Sequence, residues 1–196
     1  MGYTGGKTKD PTYRSLGDHT EAVQVDFDPS RITYGKLLDL FWKEHDPTES
    51  PWRVQYMNAL FFADDRQREE AERSRSALEK RLGKRVETRI LPLSTFYRAE
   101  DYHQKYALRA EPLLLRELED AYPDPKGFTD STAAARLNGY LAGHGSGRQL
   151  AGEIDRLGLS PRAAERLRKT VAEWDDRKGR GKGPHDACPA GEAPSR

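Results

Sequence analysis

One glutamate and two tyrosines have the types and spacing to do proton chemistry. Glu21 lies in TEAVQVDF, where Val23, Val25 and Phe27 alternate with Gln24 and Asp26. Alternate residues of a strand point to opposite faces, so the pattern predicts a strand from Thr20 to Phe27 with Glu21 on its apolar side. Burial disfavours a carboxylate, and an acid kept dry stays protonated near neutrality and can give its proton away. Tyr13 in the polar loop upstream, and Tyr56 at the head of a second strand candidate, carry hydroxyls that could aim at the same small cavity. The competing reading of Glu21 is a strand-end glutamate that bends out to water, the commoner fate of this residue type.

The other reactive residues carry less. His19, His45, His103, His144 and His185 show neither H-x-x-x-H nor H-E-x-x-H spacing, which favours separate structural roles over a metal site. GYTGGK lacks the spacing of a phosphate-binding loop and reads as a turn between strands. RKGRGK is short, has acids nearby and no interleaved aromatics, and reads as a solvated tail rather than a nucleic-acid contact. With one cysteine, Cys188, neither an internal disulfide nor a cysteine-based zinc site can form. Cys188 is either a bystander or a redox-active thiol.

Several elements must position these residues. ITYGKLLDLFWKEHD has apolar residues at helical spacing, with Thr33 as N-cap and a stop at Asp46 before Pro47. Residues 55–62 form the second strand, Asp64 to Leu82 a charged helix ended by Gly83, and residues 86–93 a third strand. A further helix starts at Glu100 and Asp101, acids favoured by the dipole of a first turn. Strands interleaved with helices imply a mixed sheet with helices packed on it. YPDPKGF breaks the pattern, and beyond it the periodicity is only helical, with Ser160 and Pro161 opening the last helix. The expected organisation is a mixed α/β domain over residues 1–121, a helical appendage over 128–174 and a disordered tail over 175–196. Hydrophobic residues make up 35% and charged residues 33%, consistent with solvated helices and a polar tail beside a real core. The net charge of +1 gives no general pull toward nucleic acid or an acidic membrane. No apolar run spans a bilayer and no signal-peptide core is visible, so the chain reads as soluble and cytoplasmic.

GYTGGKTKDPTY, HTEAVQVDFDP, LLDLFWKEHDPT, QYMNALFF and FYRAEDYHQKY occur in the order of the motifs of peptide methionine sulfoxide reductases of class A, the MsrA family. The resemblance covers residues 2–106 and stops short of the helical appendage. It implies a two-layer α+β sandwich with a ferredoxin-like core, and a monomer that reduces methionine S-sulfoxide, free or in proteins, to methionine in oxidative-damage repair. A thiolate attacks the sulfur, a sulfenic acid remains, and thioredoxin or another dithiol supplies the electrons without a bound cofactor or metal. By the match, Glu21 corresponds to the family's proton donor, and Tyr13 and Tyr56 to the hydroxyls that hold the sulfoxide oxygen.

The sequence departs from the family in three places. The family's nucleophile lies in a G-C-F-W segment ahead of G-Y-x-G-G. That segment is absent here, and with it the nucleophile, a first strand and a helix, so the resemblance implies a chain truncated before its nucleophile and inactive as it stands. The loop between Tyr13 and Glu21 lacks a cysteine found there in some members. ESPWRVQY replaces G-N-D-x-G-T-Q-Y, removing an aspartate of the polar network. Cys188, on a Gly-rich tail, is the candidate resolving thiol. Two readings follow: an active oxidoreductase whose nucleophile comes from upstream, or an inactive pseudoenzyme or fragment that binds methionine sulfoxide or a protein partner.

Overall fold

The computed structural model describes residues 1–49 and 53–180, and its packing divides the chain between Glu100 and Asp101. The first unit runs β1 (Gly2–Thr4), β2 (Thr20–Ala22), α1 (Tyr34–Phe41), a 3-10 turn at Val54–Tyr56, β3 (Ala59–Phe62), α2 (Asp65–Leu82), β4 (Arg89–Pro92) and β5 (Tyr97–Arg98). The architecture is α+β. Its strands are shared between an antiparallel sheet of order β2-β1-β5 and a parallel pair, β3-β4. Parallel strands need a crossover, and α2 supplies it.

Local chemistry explains the helix ends. Asp64 accepts the Gln67 N–H at 2.8 Å to start α2. Gly83 ends it in the left-handed region at φ 63°, its N–H bonded to Glu79 at 2.9 Å. Thr33 caps α1 through the Lys36 N–H. That helix stops at Phe41 rather than at the expected Asp46. The His45 ring takes the Phe41 carbonyl at 2.9 Å, an acceptor that one more helical turn would need, and bonds Thr88 Oγ1 at 2.9 Å on its other nitrogen. Leu38, Trp42, Ala71, Leu78 and Val86 close the core between α1 and α2, with Leu60 and Ile90 of the parallel pair against it.

The expected strand through Phe27 is a correction. β1 offers only Gly2, Tyr3 and Thr4 as partners, so β2 ends at Ala22. Val23 and Val25 are 67% and 57% exposed, and their alternation does not mark a core face.

The second unit is helical among the described residues: α3 (Tyr106–Arg109), α4 (Pro112–Ala121), α5 (Pro125–Asp130), α6 (Thr132–Leu141), α7 (Gly147–Ala151) and α8 (Pro161–Gly179), with 3-10 turns at Asp101–His103 and Ile154–Arg156. The division falls earlier than the composition break because Leu108, Leu114 and Leu118 are buried in one core with Leu137, Leu150 and Leu167. The break itself folds. Asp124 caps the Gly127 N–H at 2.6 Å and Pro125 takes the first position of α5, where its missing N–H costs nothing. Beyond the expected start of the tail at Asp175, α8 continues to Gly179, and the Asp175 carboxylate accepts the Gly147 N–H at 2.7 Å. Cys188 lies outside the described residues.

One buried charge is fully engaged. Burial pushes the Glu153 carboxyl up, but bonds from the Tyr140 hydroxyl at 2.5 Å and from Arg136 outweigh it and hold the group below its ordinary value. Among the described residues no helix is long and apolar enough to cross a membrane.

Leu137 is fully buried at the centre of the helical unit. Leu137→Ala is expected to cost about 2–5 kcal/mol by denaturant unfolding followed by helix signal. Leu82→Ala, at an exposed helix end, is expected to stay within about 0.5 kcal/mol. Equal losses at both positions would contradict this assignment of the core.

Candidate active site

Register brings Glu21 into a row of aromatic residues. Tyr3 of β1 stands opposite Glu21 of β2 on one side and Tyr97 of β5 on the other, and residues paired across a ladder share a face. Tyr3 is 2% exposed, whereas Glu21 is only partly buried, because β2 is an edge strand that ends one residue later. The close approach of β1 to β5 depends on Gly2, since a Cβ there would lie 2.4 Å from the Tyr97 carbonyl oxygen.

Two successive residues of β2 are stitched to the 3-10 turn. Thr20 Oγ1 donates to the Val54 carbonyl at 2.9 Å, and Gln55 Nε2 donates to Glu21 Oε1 at 2.6 Å. Tyr56 is the next residue of that turn and is 52% exposed, so its phenol stands at the surface rather than inside a closed cavity. Tyr13 is held from another direction. Its backbone N–H donates to Glu100 Oε1 at 3.0 Å, while Tyr3 donates its hydroxyl to Glu100 Oε2 at 2.6 Å. The ring of Tyr13 packs with Tyr97 against the small cluster of Tyr3, Leu16 and Ala99.

The structure thus links Glu21 to the turn of Tyr56 through Gln55, and links Tyr13 to the same sheet through Tyr3 and Glu100. Gln55 and Glu100 were not singled out from the sequence. Glu100 reads there as a first-turn helical acid, and its actual role depends on a partner 97 positions away. Gln55 carried a weak signal, its place immediately before Tyr56 in the QY motif.

The loop between β1 and β2 is braced by Asp18 and His19. Asp18 accepts the Thr8 and Lys7 N–H groups at 2.8–3.0 Å and the Thr8 hydroxyl at 2.8 Å. These bonds hold its carboxyl far below the usual 3.8, the Thr8 N–H acting most strongly. Buried His19 accepts the Gly6 N–H on Nδ1 at 3.2 Å and reaches the Thr8 carbonyl through Nε2 at 2.7 Å. Both nitrogens are committed to the backbone, which leaves neither for a metal. Among the described residues no group of three or more His, Cys, Asp and Glu could hold a metal ion. A cleft of about 460 Å³ at the starts of α1 and α2 includes none of Tyr13, Glu21 and Tyr56. In that cleft, burial first and then Glu70 and Asp64 push the Tyr34 hydroxyl up to about 12.

Comparison with known proteins gives this geometry a context. A profile described as "Peptide methionine sulfoxide reductase" matches residues 1–121, which include the whole of the row and the stitch. The chain belongs to the peptide methionine sulfoxide reductase family. A second profile, described as "Selenoprotein methionine sulfoxide reductase A, helical domain", matches residues 126–172. The family resemblance therefore extends beyond Tyr106 and includes the helical appendage.

A peptide methionine sulfoxide reductase of Drosophila melanogaster is 39% identical over 163 residues, covering 82% of this chain and 65% of that protein. MsrA of Methanococcoides burtonii is 48% identical over 118 residues, covering 54% of this chain and 76% of its own. The chain spans less than two thirds of the Drosophila relative and 58% of peptide methionine sulfoxide reductase A5 of rice. Among solved structures, reduced Mxr1 of Saccharomyces cerevisiae aligns with a TM-score of 0.52 at 31% identity, covering 57% of this chain and 69% of that one.

The Asp18 brace gives a pH prediction with a definite sign. Its folded-state value is depressed, so its contribution is complete above the unfolded value of 3.8 and is lost as pH falls below that value. Asp18→Asn is expected to lower thermal stability at neutral pH and to flatten the acid limb of the stability profile. An acid limb as steep in the variant as in the parent would remove Asp18 from this role.

Proposed function

We propose that the protein acts as a peptide-methionine (S)-S-oxide reductase, converting methionine S-sulfoxide, free or within proteins, to methionine by thiol chemistry. Sulfoxide oxygen leaves poorly unless it is protonated. In this reading Glu21 supplies the proton, while the hydroxyls of Tyr56 and Tyr13 hold the oxygen as charge develops on it. A thiolate attacks the sulfur, forming a sulfur–sulfur bond as the protonated oxygen leaves as hydroxide. That hydroxide then attacks the cysteine sulfur and breaks the new bond, releasing methionine and leaving a sulfenic acid. A second thiol condenses with that sulfenic acid, releasing water and forming a disulfide, and thioredoxin or another dithiol returns the two electrons. Cys188 is the candidate second thiol, and the attacking thiol belongs to the G-C-F-W segment of the family.

The observation that carries this reading is the Gln55–Glu21 bond, which joins an edge-strand carboxyl to the turn bearing Tyr56, inside the segment matched by the family profile. A second reading, a protein that binds the sulfoxide or a partner without reducing it, is favoured by the cysteine count. Cys188 is the single thiol of the sequence and does not stand in a G-C-F-W context.

Assay of a form of the protein that carries the G-C-F-W thiol, with a methionine S-sulfoxide peptide and excess dithiol, separates the two. Turnover is expected in the first reading, with Glu21→Gln lowering kcat/KM by about 100-fold or more, the scale of a lost general acid. Tyr13→Phe is expected to be mild because Tyr56 shares the contact. Cys188→Ser should spare stoichiometric reduction and slow only recycling by thioredoxin. Sulfoxide binding without reduction would select the second reading, and full activity of Glu21→Gln would sink the proton-donor role.

A further inference from the structure

We propose that Gln55 is a positioning residue for Glu21, its side-chain amide fixing one carboxyl oxygen so that only the other meets the substrate oxygen. The inference rests on the reading of Glu21 given under Proposed function and adds a stereochemical determinant to it. Gln55 Nε2 lies 2.6 Å from Glu21 Oε1. Oε2 has no hydrogen-bond partner among the described residues. An amide N–H can only donate, and the carbonyl oxygen of a protonated carboxyl is its better acceptor, so the bond to Oε1 favours placing the Glu21 proton on Oε2. The amide therefore selects the oxygen that gives the proton as well as the rotamer of the carboxyl.

Gln55 can do this because its own turn is pinned. The Val54 carbonyl uses both lone pairs, one on the Thr20 hydroxyl at 2.9 Å and the other on the Met57 N–H at 3.1 Å. The Tyr56 N–H closes the same turn on Arg53 at 3.2 Å. A single short turn thus sets the position of the carboxyl, through Gln55, and of the Tyr56 backbone. The sulfur of a sulfoxide is a stereocentre, so its oxygen lies on one side in one epimer and on the other side in its mirror form. A donor held to one direction meets one of them, and a donor free to change rotamer meets both.

The test uses the full chain and two probes, the S and R epimers of N-acetylmethionine sulfoxide, with affinities measured by NMR titration. Gln55→Met keeps the length of the side chain and removes the donor. It is expected to reduce the preference for the S epimer by about tenfold, roughly 1.4 kcal/mol. Thr20→Val, which loosens the turn and leaves Gln55 in place, should give a smaller loss in the same direction. In the parent, the side-chain amide signals of Gln55 should move when Glu21 is replaced by Leu and stay in place in Tyr56→Phe. An unchanged epimer preference in Gln55→Met with the backbone spectrum retained would overturn the proposal, as would Gln55 amide signals indifferent to Glu21→Leu. Binding of neither epimer by the parent would refute the sulfoxide reading, while the response of the amide to Glu21→Leu would still decide the positioning of the carboxyl.

Discussion

Tyr3 is the residue about which the candidate site is arranged. It occupies the middle of a three-residue strand, pairs with Glu21 on one side and Tyr97 on the other, and is 2% exposed. A buried phenol needs a partner for its hydroxyl, and the carboxyl of Glu100 provides one. The other oxygen of that carboxyl takes the backbone of Tyr13. Strand pairing alone would leave β1 weakly held, since three residues make few ladder bonds. The phenol–carboxyl bond ties the start of the first unit to its end and brings the Tyr13 loop with it.

The two units are packed differently, and the difference suits their contents. In the helical unit most core side chains are essentially sealed from water, and its only strongly buried carboxylate, among the described residues, is met by Arg136 and Tyr140. In the first unit β3 and β4 contain no fully buried residue, and Glu21 and Tyr56 stand at a partly open edge. Local opening costs least where few apolar contacts resist it. The reactive residues are thus carried by the more open of the two units.

Much of the helix pattern was legible in the sequence because caps are local. Thr33, Asp64, Gly83 and the Ser160–Pro161 pair act within three or four residues of themselves, and each sits at a helix end as its type requires. The exposure of Val23 and Val25 was not legible, because alternation marks a strand without saying how far a partner extends, and β1 ends too soon. Alternation put Glu21 in phase with Val23 and Val25 but gave neither its cross-strand neighbour Tyr3 nor its partner Gln55. Gln55 and Glu100 take their roles from residues 34 and 97 positions away, a relation that neither propensity nor period encodes. The composition break at YPDPKGF was visible, but composition cannot tell which core a preceding helix will join.

That last point bears on how this architecture can be recombined. The reductase profile ends at residue 121, at the end of α4. Yet α4 places Leu114 and Leu118 in the helical core, and its Glu117 carboxylate receives the N–H and hydroxyl of Ser160 at the head of α8. Each such leucine is worth about 1.5–3 kcal/mol of burial. A graft joined at the profile boundary would therefore cut through a hydrophobic interior and strip α8 of its opening contact, whereas a junction near Glu100 would keep both intact. Sequence homology and physical modularity draw their borders in different places here, and a successful chimera has to respect the second.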